Sequence, residues 1–180
     1  PTVEELASSS PDEVLQIWSG LGYYARARNI HRSAQLIIKQ HKGELPSDYE
    51  SLLHLPGIGE STAGAILSLS GIEPKPILDG NVKRVLSRFF GIKGWSGESK
   101  VSKELWDLSA KSLPVDNFQV YTQGIMDLGA TICLSRNPNC SICPIQRGCY
   151  AHQNHLVDEI PSKKPKKKKR TESMYFLMII

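Results

Sequence analysis

Cysteine is missing from the first 132 residues of this chain, and all four cysteines then fall between positions 133 and 149. That distribution excludes a disulfide framework spread across the fold. It leaves what four neighbouring thiols can do together. Nothing at the start reads as a signal peptide. Long apolar runs are missing until residues 174–180, MYFLMII, and that run is too short to span a membrane. No membrane partner is expected. Acidic residues are missing from residues 163–170, KKPKKKKR, which hold seven basic ones. The chain's net charge of +4 is therefore a property of this tail. Without those seven, 15 basic residues face 18 acidic ones, a net −3. If the remainder meets nucleic acid, it must do so through a local patch and backbone amides, not through bulk charge.

What is present supports a packed core. At 180 residues and 40% hydrophobic, the chain makes one large domain or two small ones. The pattern is helical almost throughout. Thr2 and Glu5 form a T-x-x-E capping box, and Ser10, Pro11 and Glu13 repeat the signal with proline at the first helical position. Apolar residues at helical spacing predict a helix over 23–41, closed by Gly43. Ser47 and Glu50 open a short helix, and further helices are predicted over 61–69, 80–90, 100–112 and 117–131. Residues 161–170 read as a polar, proline-broken linker. Only the terminal run reads as a strand. That run, and the absence of an initiator methionine, lead to the expectation that the chain is a piece of a longer one.

The cysteines are spaced C-x6-C-x2-C-x5-C, at Cys133, Cys140, Cys143 and Cys149. Four thiolates on such short loops fit one tetrahedral metal centre, and the spacing does not choose between zinc and a [4Fe–4S] cluster. Two disulfides are the plain alternative.

Two further segments carry chemistry. Residues 55–63 read LPGIGESTA between two predicted helices. Gly57 and Gly59 permit a sharp hairpin and close approach of backbone to a ligand. Amides at the start of the next helix then face outward as anion donors. About twenty residues on, Asp79 precedes a helix, in the string LDGNVKRV. Its plain reading is an N-cap.

Together these segments resemble the helix–hairpin–helix DNA glycosylase superfamily, in its iron–sulfur branch. The closer resemblance is to the MutY-type adenine DNA glycosylases. It is carried by residues 18–26 (WSGLGYYAR), 55–66, 78–88, 126–130 (MDLGA) and the cysteines, and covers residues 1 to about 160. The resemblance implies an all-α fold. A six-helix, helix–hairpin–helix subdomain would occupy residues 1–91, an iron–sulfur subdomain 92–155 and a basic linker 156–173. Residues 174–180 would begin a truncated Nudix-like domain.

It also implies base-excision repair by a monofunctional enzyme. Such enzymes hydrolytically remove adenine mispaired with 8-oxoguanine or guanine from duplex DNA, after flipping the base. The implied cofactor is a [4Fe–4S] cluster on the four cysteines. Asp79 would stabilise the oxocarbenium-like sugar, with Asn81 as its positioning partner. Leu21, Tyr23, Arg26, Gly57, Gly59, Ser61, Thr62 and Lys83 are the implied DNA contacts, with Arg28 and Arg136 as further phosphate candidates. Tyr23 would be the wedge beside 8-oxoguanine, while one of the adjacent Tyr23 and Tyr24 is expected to be buried. Ser61 stands where bifunctional lyases of the endonuclease III type carry a nucleophilic lysine, so no Schiff base is expected. The family's general-acid glutamate has no match in residues 1–24, which leads to the expectation that these 180 residues alone are nearly inert. The implied protein is a monomer, cytoplasmic in a bacterium or nuclear in a eukaryote. An endonuclease III-type glycosylase/lyase and a non-catalytic iron–sulfur DNA-binding module are the rival readings.

Overall fold

The computed structural model describes residues 2–165 and Met174, and every regular element among them is helical. In chain order these are α1 (Val3–Ser8), α2 (Pro11–Ile17), α3 (Tyr24–His41), α4 (Tyr49–Leu53), α5 (Glu60–Leu69), α6 (Gly80–Phe90), α7 (Ser99–Ser112) and α8 (Phe118–Asp127). A π-turn at Leu128–Ile132, two short 3-10 turns and α9 (Tyr150–Gln153) follow. No helix among the described residues is long and apolar enough to cross a membrane. The expected strand over 174–180 and the linker beyond residue 165 lie outside the described residues, Met174 apart.

Local sequence signals account for most boundaries. The Thr2 amide donates to the Glu5 carboxylate at 2.9 Å while Thr2 Oγ1 accepts from the Glu5 amide at 3.2 Å. Ser10 and Glu13 repeat the exchange, with Pro11 at the first helical position. The α4 cap differs from expectation by one residue. Asp48, not Ser47, accepts from the Ser51 amide at 2.8 Å. A carboxylate three residues before a free amide is the better acceptor, and it starts the helix at Tyr49. At the far end of α3 the left-handed turn begins one residue early, at Lys42, so the amides of Lys42 and Gly43 both reach the Ile37 carbonyl.

The largest departure lies after α8. One helix over 117–131 is expected, yet α geometry stops at Asp127 and the backbone widens. The Cys133 amide reaches back five residues to the Leu128 carbonyl, at 2.7 Å. Arg84 of α6 uses the carbonyls that this widening leaves over. Its Nη2 donates to Gly129 O at 2.6 Å and its Nε to Cys133 O at 2.7 Å. A π-turn is a single-turn device found at functional sites, and apolar periodicity does not reveal it.

Two hydrophobic clusters form the core. Ile37, Leu52, Leu55, Ala63 and Leu67 join α3, α4 and α5. Ile77, Leu78, Val82, Val85, Leu86, Val101, Leu105 and Ile125 join the segment before α6 to α6, α7 and α8. α6 thus packs its apolar face with elements beyond residue 91.

Candidate active site and cysteine centre

The position of Asp79 is set by one face of α5. Ser61, Gly64 and Ser68 lie three and four residues apart, hence on one side of the helix. The extended segment before α6 lies against them. Ser68 Oγ donates to Lys75 O at 2.8 Å and accepts from the Lys75 amide at 2.9 Å. Gly64 lets the chain pass so closely that a Cβ there would sit 2.4 Å from Pro76 O. Ser61 Oγ accepts from the Leu78 amide at 2.9 Å. These three small residues seat Asp79 beside the hairpin.

Asp79 caps α6. Its Oδ1 accepts from the Val82 amide at 2.8 Å, and its other oxygen has no hydrogen-bond partner among the described residues. The side chain is half-buried. Asn81 is not bonded to Asp79. Its Oδ1 accepts from Arg84 Nη2 at 2.8 Å, and it packs against Gly129, where a Cβ would meet Asn81 Cβ at 2.6 Å. Lys83 follows on the same turn, half-buried, with no ion pair among the described residues.

The hairpin between α4 and α5 is fastened to α3. Ser33 Oγ donates to Pro56 O at 3.0 Å, and Asn29 packs under Gly57, whose φ of +82° favours glycine. Gly59 has open space at its Cβ position, and the Glu60 and Ser61 amides that open α5 find no acceptor among the described residues, while the Thr62 amide donates to Gly59 O at 2.9 Å. An open groove of about 730 Å³ runs along this face and is lined by Tyr23, Arg26, Gly57 and Thr62, among others. Leu21, Gly59, Ser61 and Lys83 do not line it.

The turn before α3 presents Leu21 and Tyr23 outward. Trp18 Nε1 donates to Gly22 O at 2.9 Å and holds the turn. Tyr23 adopts a left-handed φ of +48°. Such a backbone costs a non-glycine residue about 1–3 kcal/mol and recurs at ligand clamps. The expectation that Tyr23 or Tyr24 is buried fails, because they are 82% and 43% exposed. The ring of Tyr23 instead carries the Arg26 guanidinium at 5.7 Å.

The four cysteines line one small cavity with Arg88, Ile132 and Ile145. No three His, Cys, Asp or Glu side chains among the described residues are grouped as one metal ion requires. Burial pushes the Cys140 thiol up, helped by the other three thiols and opposed by Arg88. Burial also pushes Cys143 up, while the Ile145 amide opposes it.

Sequence reasoning missed the two arginines of α6. Arg88 is only 3% exposed. Its Nε donates to Ile160 O at 2.9 Å, and its Nη1 donates to Leu134 O at 2.6 Å and to Cys133 Sγ at 3.3 Å. No carboxylate pairs with it among the described residues. The available signal was the i, i+4 spacing of Arg84 and Arg88 on the helix that Asp79 opens.

The family described as HhH-GPD superfamily base excision DNA repair protein matches residues 1–111. The chain is 46% identical over 179 residues to an adenine DNA glycosylase of Buchnera aphidicola from Acyrthosiphon pisum, covering 99% of this chain and 51% of that protein. It is 42% identical over 154 residues to the adenine DNA glycosylase of Rattus norvegicus, covering 85% of this chain and 30% of that one. The chain spans about half the length of the bacterial relative. Among solved structures, a thermostable thymine-DNA glycosylase aligns with a TM-score of 0.73 at 26% identity, over 85% of this chain and 70% of that one. A non-covalent complex of endonuclease III with DNA aligns with a TM-score of 0.72 at 25% identity, over 86% and 71%.

Proposed function

This chain belongs to the HhH-GPD superfamily of base excision DNA repair proteins, and from that premise we propose that it hydrolytically releases adenine mispaired with 8-oxoguanine or guanine in duplex DNA. The carrying observation is the seat of Asp79. Three small residues of α5 hold the segment that ends in it, so a carboxylate stands near a helix start whose Glu60 and Ser61 amides have no acceptor among the described residues. A flipped nucleotide whose phosphates rest on those amides brings its sugar to that carboxylate.

Asp79 divides its two oxygens between two tasks. Oδ1 holds the Val82 amide and fixes the side chain. The second oxygen faces the positive charge that develops on the sugar as the glycosidic bond breaks. Asn81 acts at one remove, by holding Arg84 and through it the turn against α6. Tyr23, exposed on a strained turn, is the wedge that enters the stack beside the mispair. Ser61 offers no amine for a covalent sugar adduct, so the product is an abasic site. The family's general acid is not proposed among residues 1–180.

The cysteines are proposed to hold a [4Fe–4S] cluster. Cys133, Cys140, Cys143 and Cys149 would hold it, and it would then join the turns that carry them and supply negative charge. Arg88 supports this reading. A buried guanidinium without a carboxylate is costly, and thiolates at Cys133 and its neighbours give it a counter-charge. Iron and acid-labile sulfide of about four each per chain are expected; stoichiometric zinc without iron would overturn the assignment.

The function is tested by single-turnover assays of the full-length protein. Free adenine is expected from A:8-oxoguanine and A:G duplexes, little from A:T, and no protein–DNA adduct on borohydride treatment of abasic DNA. Release of oxidised pyrimidines with strong borohydride trapping would favour the endonuclease III-type reading. DNA binding without any base release would favour a non-catalytic module.

A further inference from the structure

A second groove, of about 590 Å³, opens at the N-terminal end of α6 and is lined by Gly80, Arg84, Trp95, Arg136, Lys163 and Lys164, with Asp158 as its acid. Its outer wall is the start of the basic linker, and that stretch is fixed in place. The Ser162 amide donates to Gly94 O at 3.1 Å, and Ser162 Oγ accepts from the Gly94 amide at 3.2 Å. Two residues earlier, Ile160 O accepts from the buried Arg88. Beyond Ser162, the Lys164 ammonium lies over the Trp95 ring at 5.3 Å. A tether needs none of these attachments. They hold cations at one edge of a groove that begins one residue from Asp79.

Charge strengthens the case. Outside residues 163–170 the chain carries a net −3, so a polyanion has little to gain from the body as a whole. The groove concentrates Arg136, Lys163 and Lys164 against one acid, beside the first amides of α6. A cation on an aromatic face keeps its position and its charge, and the indole shields one side of it from water.

We infer that this groove binds the DNA backbone next to the flipped nucleotide, with Lys163 and Lys164 contacting phosphates from a Trp95 platform. The first turns of the linker are thus part of the DNA-binding surface. The inference rests on the proposed repair function and adds a contact surface to it.

The test compares the full-length protein with Lys163→Gln/Lys164→Gln on an undamaged duplex, by fluorescence anisotropy across a range of salt. Each lost phosphate contact lowers the slope of log affinity against log salt by about 0.9, so the double variant is expected to lose close to two units. Trp95→Leu is expected to lose about one, and Lys103→Gln, an exposed α7 substitution outside the groove, nothing. Adenine release at saturating DNA is expected to stay within about twofold. A wild-type slope in the double variant, with adenine release intact, overturns the inference and leaves the repair function standing. A reduced slope in a protein that releases no adenine keeps the groove and removes the repair function. No duplex binding by the parent protein removes both.

Discussion

At the scale of single residues, Ser61 and Asp79 work as a pair through the backbone between them. The Ser61 hydroxyl accepts from the amide next to Asp79, at 2.9 Å. Ser61→Ala would leave the amide of buried Leu78 without an acceptor, costing about 1–3 kcal/mol. Thermal unfolding should register that loss. Single-turnover adenine release should fall further than the stability change alone explains, because Asp79 loses its seat. Rescue by Ser61→Thr, which keeps the hydroxyl, separates seating from a general loss of fold. The two sequence-level readings of Asp79, helix cap and catalytic carboxylate, exclude each other only if a carboxylate has one useful oxygen. Here one oxygen caps and the other has no hydrogen-bond partner among the described residues. Neither the Ser61–Leu78 bond nor the close crossing at Gly64 was legible, because both depend on a contact about seventeen or fewer residues away in sequence.

At the scale of elements, α6 joins the two sites. Its first turn carries Asp79, its apolar face enters the core, and Arg84 and Arg88 reach the π-turn and the cysteine loop. Capping boxes and apolar spacing made the helices legible, since those signals are local. The end of α8 was not legible, since Arg84 reaches the turn from some forty-five residues away. Gly129→Ala tests the junction. The added methyl would meet Asn81 Cβ at 2.6 Å and its backbone at 3.1 Å, so the first turn of α6 must move. We expect a cost of about 1–3 kcal/mol in stability. We also expect base release to fall at least tenfold, with duplex affinity nearly unchanged. Equal losses in both would place the contact outside the catalytic geometry.

At the scale of the whole molecule, two cores are bound by buried polar groups as well as apolar packing. The four cysteines were legible from their spacing as neighbours, and they line one cavity. Their counter-charge was not, because Arg88 looks like any helical arginine until its burial is known. Removing it leaves the buried Ile160 carbonyl and the half-buried Leu134 carbonyl without this donor and the Cys133 thiol without its cation. Arg88→Met is expected to cost about 3 kcal/mol or more and to lower the iron retained after purification. Arg88→Lys, which keeps charge but lacks the fork, should recover part of the iron and less of the stability. Iron content unchanged in Arg88→Met would detach this residue from the cysteine centre.

The decisive measurement is single-turnover adenine release by the full-length protein carrying Asp79→Asn, with duplex affinity measured on the same preparation. The amide is nearly isosteric and its oxygen can still cap Val82, so folding and DNA binding are expected to persist. Without the negative charge facing the sugar, release from an A:8-oxoguanine duplex is expected to fall by about 100-fold or more, on the scale of losing one electrostatic stabiliser. Release within a few-fold of the parent, or a loss of affinity that accounts for the whole effect, would contradict the assignment of Asp79 as the catalytic carboxylate.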